Sequence, residues 1–217
     1  MLHIKNKESA YMAPAKYYTG YCYYIQKELQ KALIEFLIVE QLGDYEQIAP
    51  YYIVQIHYAQ GEYEKVYKRA EELLKRYPDN QHNNELHRML GEMYYQDSLY
   101  NDAVRHLETY RTLCNTNNIE ILRNDMYLLG LSHYMIRNYQ EAANCLKTIT
   151  LSEDTISENT CLHLGHAYLR LEDLENAKLA YAAAIRYNIN PKVREEAMYN
   201  YVQVTYLQNS ALGESIN

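Results

Sequence analysis

The sequence predicts an all-α fold, an array of stacked helix pairs. Four of its seven glycines stand twelve residues before an alanine, each within a similar pattern of apolar residues. The pairs are Gly20 and Ala32, Gly91 and Ala103, Gly130 and Ala142, and Gly165 and Ala177. Polar, turn-rich segments (PDNQHNN, CNTNNIE and LSEDTIS) separate successive copies, where an insertion costs little free energy. A repeat of this kind is typical of helical solenoids.

Two weaker copies complete the repeat. One centres on Tyr63 and Val66, with Val54 in place of the glycine, and the other begins at Ala197 and reaches Ser215. The alanine position falls at residues 32, 66, 103, 142, 177 and 215. By subtraction, these positions are 34, 37, 39, 35 and 38 residues apart. We expect glycine on the first helix (A) and alanine on the second (B) to let the two backbones approach closely. Large residues three and four positions away should fill the space around that contact.

In chain order, the pattern predicts two helices in each repeat. The expected ranges are 13–26 and 28–41, 47–60 and 62–77, 83–97 and 99–113, 120–136 and 138–149, 156–171 and 173–187, and a final A helix over 192–208. The first contains YYTGYCYY (17–24), which would favour a strand in isolation. The repeat predicts a helix there, because packing around Gly20 offsets its intrinsic cost of about 1 kcal/mol.

Local signals support two of these helix starts. Thr155 and Glu158 have the spacing of a capping box, in which two side chains satisfy the first backbone N–H groups. Asn190-Pro191 fits an N-cap followed by proline at the first helical position.

The copies in register resemble the tetratricopeptide repeat, whose period is about 34 residues with an L-G-x-x-Y…A-x-x-x-F pattern. The resemblance covers nearly the whole chain and implies a right-handed α-solenoid of about eleven helices, a single array over 1–217. The implied repeats span approximately 13–46, 47–80, 84–119, 120–154, 156–190 and, in part, 192–217. NPKVREEAMYNYVQVTY and LGESIN also resemble long multi-repeat proteins of Bacteroidetes cell envelopes. That resemblance implies a fragment of an exported, periplasmic or cell-envelope protein; without export the location would be cytoplasmic.

Composition and motifs disfavour several functions. A net charge of −7 disfavours a nucleic-acid partner, and no apolar run is long enough to insert in a membrane. The four cysteines are scattered, without a C-x-x-C pair, and most are expected to be small buried apolar residues. His163 and His166 share a helix face, but a zinc site needs three or four ligands, so no metal site is predicted. The dispersed glycines form no phosphate-binding loop. We therefore expect neither a cofactor nor an enzymatic activity.

The resemblance also implies where a partner would bind, because helix A lines the concave face of tetratricopeptide arrays. The implied groove residues are Tyr17, Tyr21, Tyr24, Tyr51, Gln55, Tyr58, Arg88, Glu92, Tyr95, Tyr127, Leu131, Tyr134, Leu162 and His166. Four of them, Tyr24, Tyr58, Tyr95 and Tyr134, fall at one repeat position and would form a ladder. The ladder has two interpretations, a ligand-binding surface or part of the core, because tyrosine is the main packing aromatic of a chain with 26 Tyr and one Phe. Tyr18, Cys22 and Tyr23 should lie toward neighbouring helices.

Two functions follow from this pattern. The first is a non-enzymatic scaffold or adaptor that binds a protein or peptide along the tyrosine-rich groove. The alternative is a structural spacer or self-assembly segment of a longer cell-envelope protein, with no separate ligand. The final A helix would lack a B partner for its apolar face, with Met198, Val202 and Tyr206. Either homo-oligomer formation through this end or folding back of NSALGESIN (209–217) would cover that face.

Overall fold

A computed structural model of the chain describes residues 2–43 and 45–214. These residues form eleven α-helices and no strand, which confirms the all-α prediction. The helices are α1 (Leu2–Ile25), α2 (Leu29–Gln41), α3 (Ala49–Ala59), α4 (Tyr63–Arg76), α5 (Asn83–Gln96), α6 (Tyr100–Asn117), α7 (Arg123–Met135), α8 (Tyr139–Leu146), α9 (Thr155–Arg170), α10 (Leu174–Tyr187) and α11 (Pro191–Glu214). Odd-numbered helices are the A helices and even-numbered helices the B helices.

The chain divides into two compact units, Met1–Leu90 and Gly91–Asn217, and the boundary falls inside α5. In the first unit, α1 packs on α2, and α3 packs on both α2 and α4. In the second unit, α7 packs on α6 and α8, α9 on α8 and α10, and α11 on α10. Neighbouring A helices also touch, α7 with α9 and α9 with α11. The grouping of 1–217 into one array of six repeats stays a prediction.

Each repeat glycine is buried against helix B of its own pair, and the large residue four positions after the alanine fills the contact, as the pattern predicts. A Cβ atom at Gly165 would lie 2.6 Å from Tyr181 Cε1, and one at Gly91 would lie 2.6 Å from Leu107 Cγ. Gly130 meets Leu146 in the same way, and Gly20 meets Glu35 and Phe36. The glycine therefore makes room for the large residue one turn after the alanine, rather than for the alanine itself. The alanines are also fully buried.

The five turns between A and B helices share one geometry. Each has a residue with positive φ, at Lys27, Gly61, Ser98, Arg137 and Glu172. The N–H of that residue bonds three positions back, and the next N–H bonds five positions back, as in Lys27 N to Tyr24 O and Glu28 N to Tyr23 O. These bonds form a Schellman motif, which satisfies the last carbonyl groups of helix A. Only one of the five residues is glycine, so residue type alone does not indicate the motif.

Two helices extend beyond their predicted ranges. Helix α1 begins at Leu2 rather than near 13 and includes Pro14, although proline has no N–H to donate within a helix. Helix α11 continues to Glu214 rather than ending near 208, so residues 209–214 extend the helix and do not fold back across it. Ser215, the predicted alanine position of the sixth copy, lies outside the described residues, as does the end of NSALGESIN.

The capping prediction was wrong at α9 and right at α11. The N-cap of α9 is Asp154, whose side chain accepts from Ser157 N, rather than Thr155. Glu158 is fully buried and accepts instead from Ile189 N at 2.9 Å and from Asn190 N at 3.0 Å, in the turn before α11. The α11 helix begins at Pro191, and Asn190 Oδ1 accepts from Lys192 N.

Other expectations about burial were mostly confirmed. Cys114, Cys145 and Cys161 are buried free thiols. The YYTGYCYY stretch is helical, with Gly20 buried. However, Tyr18 and Cys22 are exposed rather than packed toward neighbouring helices, because they fall on the side of α1 away from α2 and α3. Among the described residues, no helix combines the length and the hydropathy needed to cross a bilayer.

Candidate peptide-binding surface

Tyrosines of α1 and α3 form an aromatic cluster on the A helices of the first unit. The Tyr17 ring stacks on Tyr45 with centroids 4.5 Å apart. Tyr52 is the centre of the cluster, because its ring lies 5.6 Å from Tyr21, 5.2 Å from Tyr24 and 6.2 Å from Tyr17. The helix spacing of 17, 21 and 24 places all three rings on the side of α1 that faces α3. The structure thus brings the three predicted α1 residues together.

The members of this cluster differ in how much surface they offer. Tyr21 is 36% exposed, whereas Tyr17 and Tyr24 are half-buried. Burial raises the pKa of both Tyr17 and Tyr24, with a smaller contribution at Tyr24 from the charge of Glu85. Their hydroxyl groups are therefore protonated at neutral pH and can donate hydrogen bonds. Tyr21 presents the largest free aromatic surface of the three.

The predicted residues of α3 and early α5 are engaged with one another or with close neighbours. Tyr51 is only 9% exposed, accepts from Gln55 Nε2 at 2.8 Å and stacks on His82 with centroids 4.2 Å apart. Burial raises the Tyr51 pKa to about 12. Arg88 Nε donates to Glu85 Oε2 at 2.9 Å, so its charge is partly neutralised. The side chains of these residues are held in place by one another and expose less surface to a partner than Tyr21 does.

The four ladder tyrosines are all half-buried. Three of them pack on a tyrosine at the start of the following B helix: Tyr58 on Tyr63 at 6.2 Å, Tyr95 on Tyr100 at 5.7 Å and Tyr134 on Tyr139 at 5.3 Å between centroids. Each ring thus has one face toward its own helix pair. Burial raises the Tyr95 pKa, as it does for Tyr24. The ladder position therefore serves both packing within each helix pair and the exposed surface.

In the second unit, the predicted α7 and α9 residues meet around two histidines. His163 Nδ1 lies 2.8 Å from the Asn159 carbonyl oxygen, to which it can donate, and 3.1 Å from the Tyr127 hydroxyl. The His166 ring lies 6.4 Å from Tyr134. Burial lowers the pKa of His166 to about 4, and the neighbouring His163 lowers it further in the same direction. Both rings are neutral at pH 7.

Three other predicted residues of the second unit, Leu131, Leu162 and Glu92, differ in how much surface they expose. Leu131 is 9% exposed and Leu162 is 3% exposed, so both leucines serve the core and offer almost no surface to a partner. Glu92 is half-buried and accepts from Gln96 Nε2 at a long 3.4 Å. The accessible part of this surface is therefore polar and aromatic rather than aliphatic.

Sequence reasoning missed Tyr52, His82 and His163, which complete the aromatic clusters around the predicted residues. Tyr52 and His163 each follow a predicted position by one residue, and the family pattern assigns that position to packing. His82 lies in the turn before α5, where no repeat position applies. The sequence did single out His163, three residues from His166, but only as a possible metal ligand and not as a residue of the surface.

His163 and His166 are the pair that the sequence suggested as possible metal ligands. His163 and His166 have centroids 5.6 Å apart, but they do not belong to a group of three metal-ligating side chains in the described part of the chain. What the arrangement offers is a set of aromatic rings fixed by mutual packing, with neutral hydroxyl and imidazole groups between them. Such surfaces combine apolar area with hydrogen bonding and suit a protein or peptide ligand.

The fold is that of an α-solenoid of tetratricopeptide-like helix pairs. Among solved structures, MamA of strain AMB-1 is 16% identical with a TM-score of 0.63, and the match covers 83% of this chain and 95% of MamA. Yeast Tom70 is 14% identical with a TM-score of 0.55, covering 94% of this chain and 43% of Tom70. BtubC of P. vanneervenii is 12% identical with a TM-score of 0.55, covering 94% of this chain and 84% of BtubC. The sequence matches no protein-family profile and no curated protein.

Proposed function

We propose that the chain is a non-enzymatic scaffold that binds a protein or peptide segment on the tyrosine-rich surface of its A helices. The main support for this proposal is the α1–α3 cluster, in which the packed rings hold Tyr21 in place while 36% of its surface stays exposed. Rings fixed before binding lose little conformational entropy when a ligand arrives. The resemblance of part of the sequence to multi-repeat envelope proteins also supports a periplasmic or cell-envelope location for such a scaffold.

A matched pair of tyrosine substitutions tests this proposal. Peptides selected from a random displayed library against the intact chain would be measured for affinity by fluorescence polarisation. Tyr21→Ala should weaken binding about tenfold or more, because aromatic anchors at interfaces commonly contribute about 2 kcal/mol. Tyr11→Ala is the control, since Tyr11 is on the same helix and is 73% exposed but makes no ring contact with the cluster in the described part of the chain.

Both variants should keep the melting temperature of the unmodified chain, because neither ring is buried. Equal affinities for Tyr21→Ala and the unmodified chain would place any binding site elsewhere. Failure to select a peptide, with the chain folded on the support, would also count against the proposal.

A second candidate function is self-assembly, as a structural segment without a separate ligand. It is favoured by the outer side of α11, where Met198, Tyr199, Val202 and Tyr206 are 47%, 64%, 65% and 72% exposed. Their spacing places them along one stripe of the helix. Val202→Glu should then lower the oligomeric mass in sedimentation velocity, whereas a concentration-independent monomer of the unmodified chain would contradict this function.

A further inference from the structure

Away from the tyrosine surface, three side chains with metal-binding atoms converge in the second unit. Glu108 lies on α6, His133 on α7 and Cys145 on α8. One ligand atom of each lies within 4.8 Å of the other two, and His133 Nε2 is 2.9 Å from Glu108 Oε1. His133 and Cys145 are buried and Glu108 is half-buried. Among the described residues, this is the one group of three such side chains.

One ring nitrogen of His133 faces the group and the other has no partner among the described residues. The Nδ1 atom of His133 is buried with no hydrogen-bond partner in the described part of the chain. Buried polar atoms are nearly always satisfied, and an exception in a native structure is often explained by an ion or a water molecule. Nε2, which lies 2.9 Å from Glu108 Oε1, is the nitrogen placed to bind an ion, and Nδ1 would then carry the proton of the metal-binding tautomer.

We propose that Glu108, His133 and Cys145 form a binding site for a divalent transition-metal ion, with Zn²⁺ as the best match. Zinc accepts thiolate, imidazole and carboxylate ligands and has no strong geometric preference of its own. Its bonds of roughly 2.0–2.3 Å would place tetrahedral ligand atoms about 3.5 Å apart. Side-chain rotations on three fixed helices can close the remaining separation. Three protein ligands leave the fourth position to water, and the thiol proton leaves to solvent on binding.

Arg111 occupies the edge of this site and competes with a metal ion. Its Nη2 lies 2.5 Å from Glu108 Oε2, and its Nη1 lies 3.7 Å from Cys145 Sγ. A guanidinium against both groups shows that the site attracts positive charge. The Arg111 side chain is 31% exposed, so it can turn toward solvent when an ion enters. Removing its charge should therefore strengthen metal binding, which a purely structural role of the cluster would not predict.

Cobalt(II) is the probe for the test, because it replaces zinc and its bond to a thiolate gives a charge-transfer band in the near ultraviolet. Added to the intact, reduced chain, cobalt should produce this band with saturation at one equivalent, and zinc should abolish it by displacement. Cys145→Ser should lose the band. Cys161→Ser is the matched control, a second buried thiol outside the cluster, and should retain it.

Two further variants keep the proposal falsifiable if a cysteine variant fails to fold, as far-ultraviolet circular dichroism of the metal-free proteins would reveal. Glu108→Gln keeps the side-chain shape and should raise the cobalt concentration at half-saturation. Arg111→Gln should lower it. Absence of the band in the unmodified chain, its persistence in folded Cys145→Ser, or weaker binding in Arg111→Gln would each overturn the proposal.

Discussion

At the scale of single residues, the glycines of the A helices determine how closely the two helices of a pair approach. Gly165 and Gly20 differ in the space that a methyl group would have. At Gly165 the nearest atom would be the Tyr181 ring at 2.6 Å, whereas at Gly20 it would be Glu35 Cβ at 3.1 Å. Tyr181 is fully buried and so cannot easily move away.

This difference gives the first prediction. Gly165→Ala should be less stable than Gly20→Ala by about 1–3 kcal/mol, because overpacking forces buried neighbours to shift. Both substitutions gain the same helix propensity, about 1 kcal/mol, so the comparison isolates the clash. Urea unfolding followed by circular dichroism measures it. Equal stability changes would mean that the Gly165–Tyr181 contact does not limit the helix approach.

Residue patterns predicted these close contacts only in part. The glycine and alanine positions were correct because both are defined by small size at a fixed interval. The pattern also indicated the large residues that fill these contacts, Phe36, Leu107, Leu146 and Tyr181, but not that they would make the nearest approach to the glycine. On the surface, the α1 residues at predicted groove positions, Tyr17, Tyr21 and Tyr24, lie together around Tyr52, and their role in binding stays a prediction. Repeat position could not identify Leu162 as buried, because the same position holds tyrosine, arginine or leucine in different repeats.

At the scale of helices, the N-cap positions of the B helices differ in whether a side chain caps the first turn. The N-cap residues of α8 and α10 are Asn138 and Asp173, and each side chain accepts a backbone N–H. The N-cap of α6 is Leu99, which has nearly the same backbone angles but makes no such bond and is 50% exposed. The backbone is thus already arranged for a capping side chain.

Leu99→Asn should therefore stabilise the second unit by about 1 kcal/mol, the usual value of an N-cap hydrogen bond. Little apolar burial is lost with the leucine. Thermal unfolding measures the gain, and Leu99→Ala controls for removal of the leucine alone. If the asparagine and alanine variants melt together, the capping interpretation is wrong.

Helix boundaries were predicted less well than helix identity, for reasons visible in particular elements. The αL residues Lys27, Ser98, Arg137 and Glu172 have no preference for positive φ, so the turns were located by the repeat and not by their own chemistry. Glu158 has the spacing of a capping residue, but tertiary contact with the turn before α11 takes its carboxylate instead. Long-range bonds of this kind are not visible in a local pattern.

At the scale of the whole molecule, buried histidines make stability depend on pH. His106 is 1% exposed, and burial lowers its pKa to about 4; burial also lowers the pKa of His166 to about 4. An unfolded histidine has a pKa near 6.5, so the unfolded chain binds more protons between about pH 4 and 6.5. Stability is therefore fully present above pH 6.5 and is lost as the pH falls toward 4.

Each such histidine should contribute a slope of up to about 1.4 kcal/mol per pH unit in this window. Unfolding free energies measured between pH 4 and 7 test the sign and size of the effect. His106→Phe keeps an aromatic ring against Tyr94, whose centroid is 5.3 Å away, but cannot titrate. Its pH dependence should be flatter than that of the unmodified chain, and an identical slope would contradict the assignment to His106.

The shared turn between A and B helices also has a practical use. Residues 27, 61, 98, 137 and 172 are all exposed and occupy equivalent places in successive repeats. Four different side chains and a glycine stand there, so the site tolerates chemical variety. Cysteine introduced at 98, 137 or 172, after replacement of exposed Cys22, would carry a fluorescent dye at matched points of the second unit. Resonance energy transfer between pairs of dyes would then measure the distances between its repeats in solution, at positions that the fold already makes equivalent.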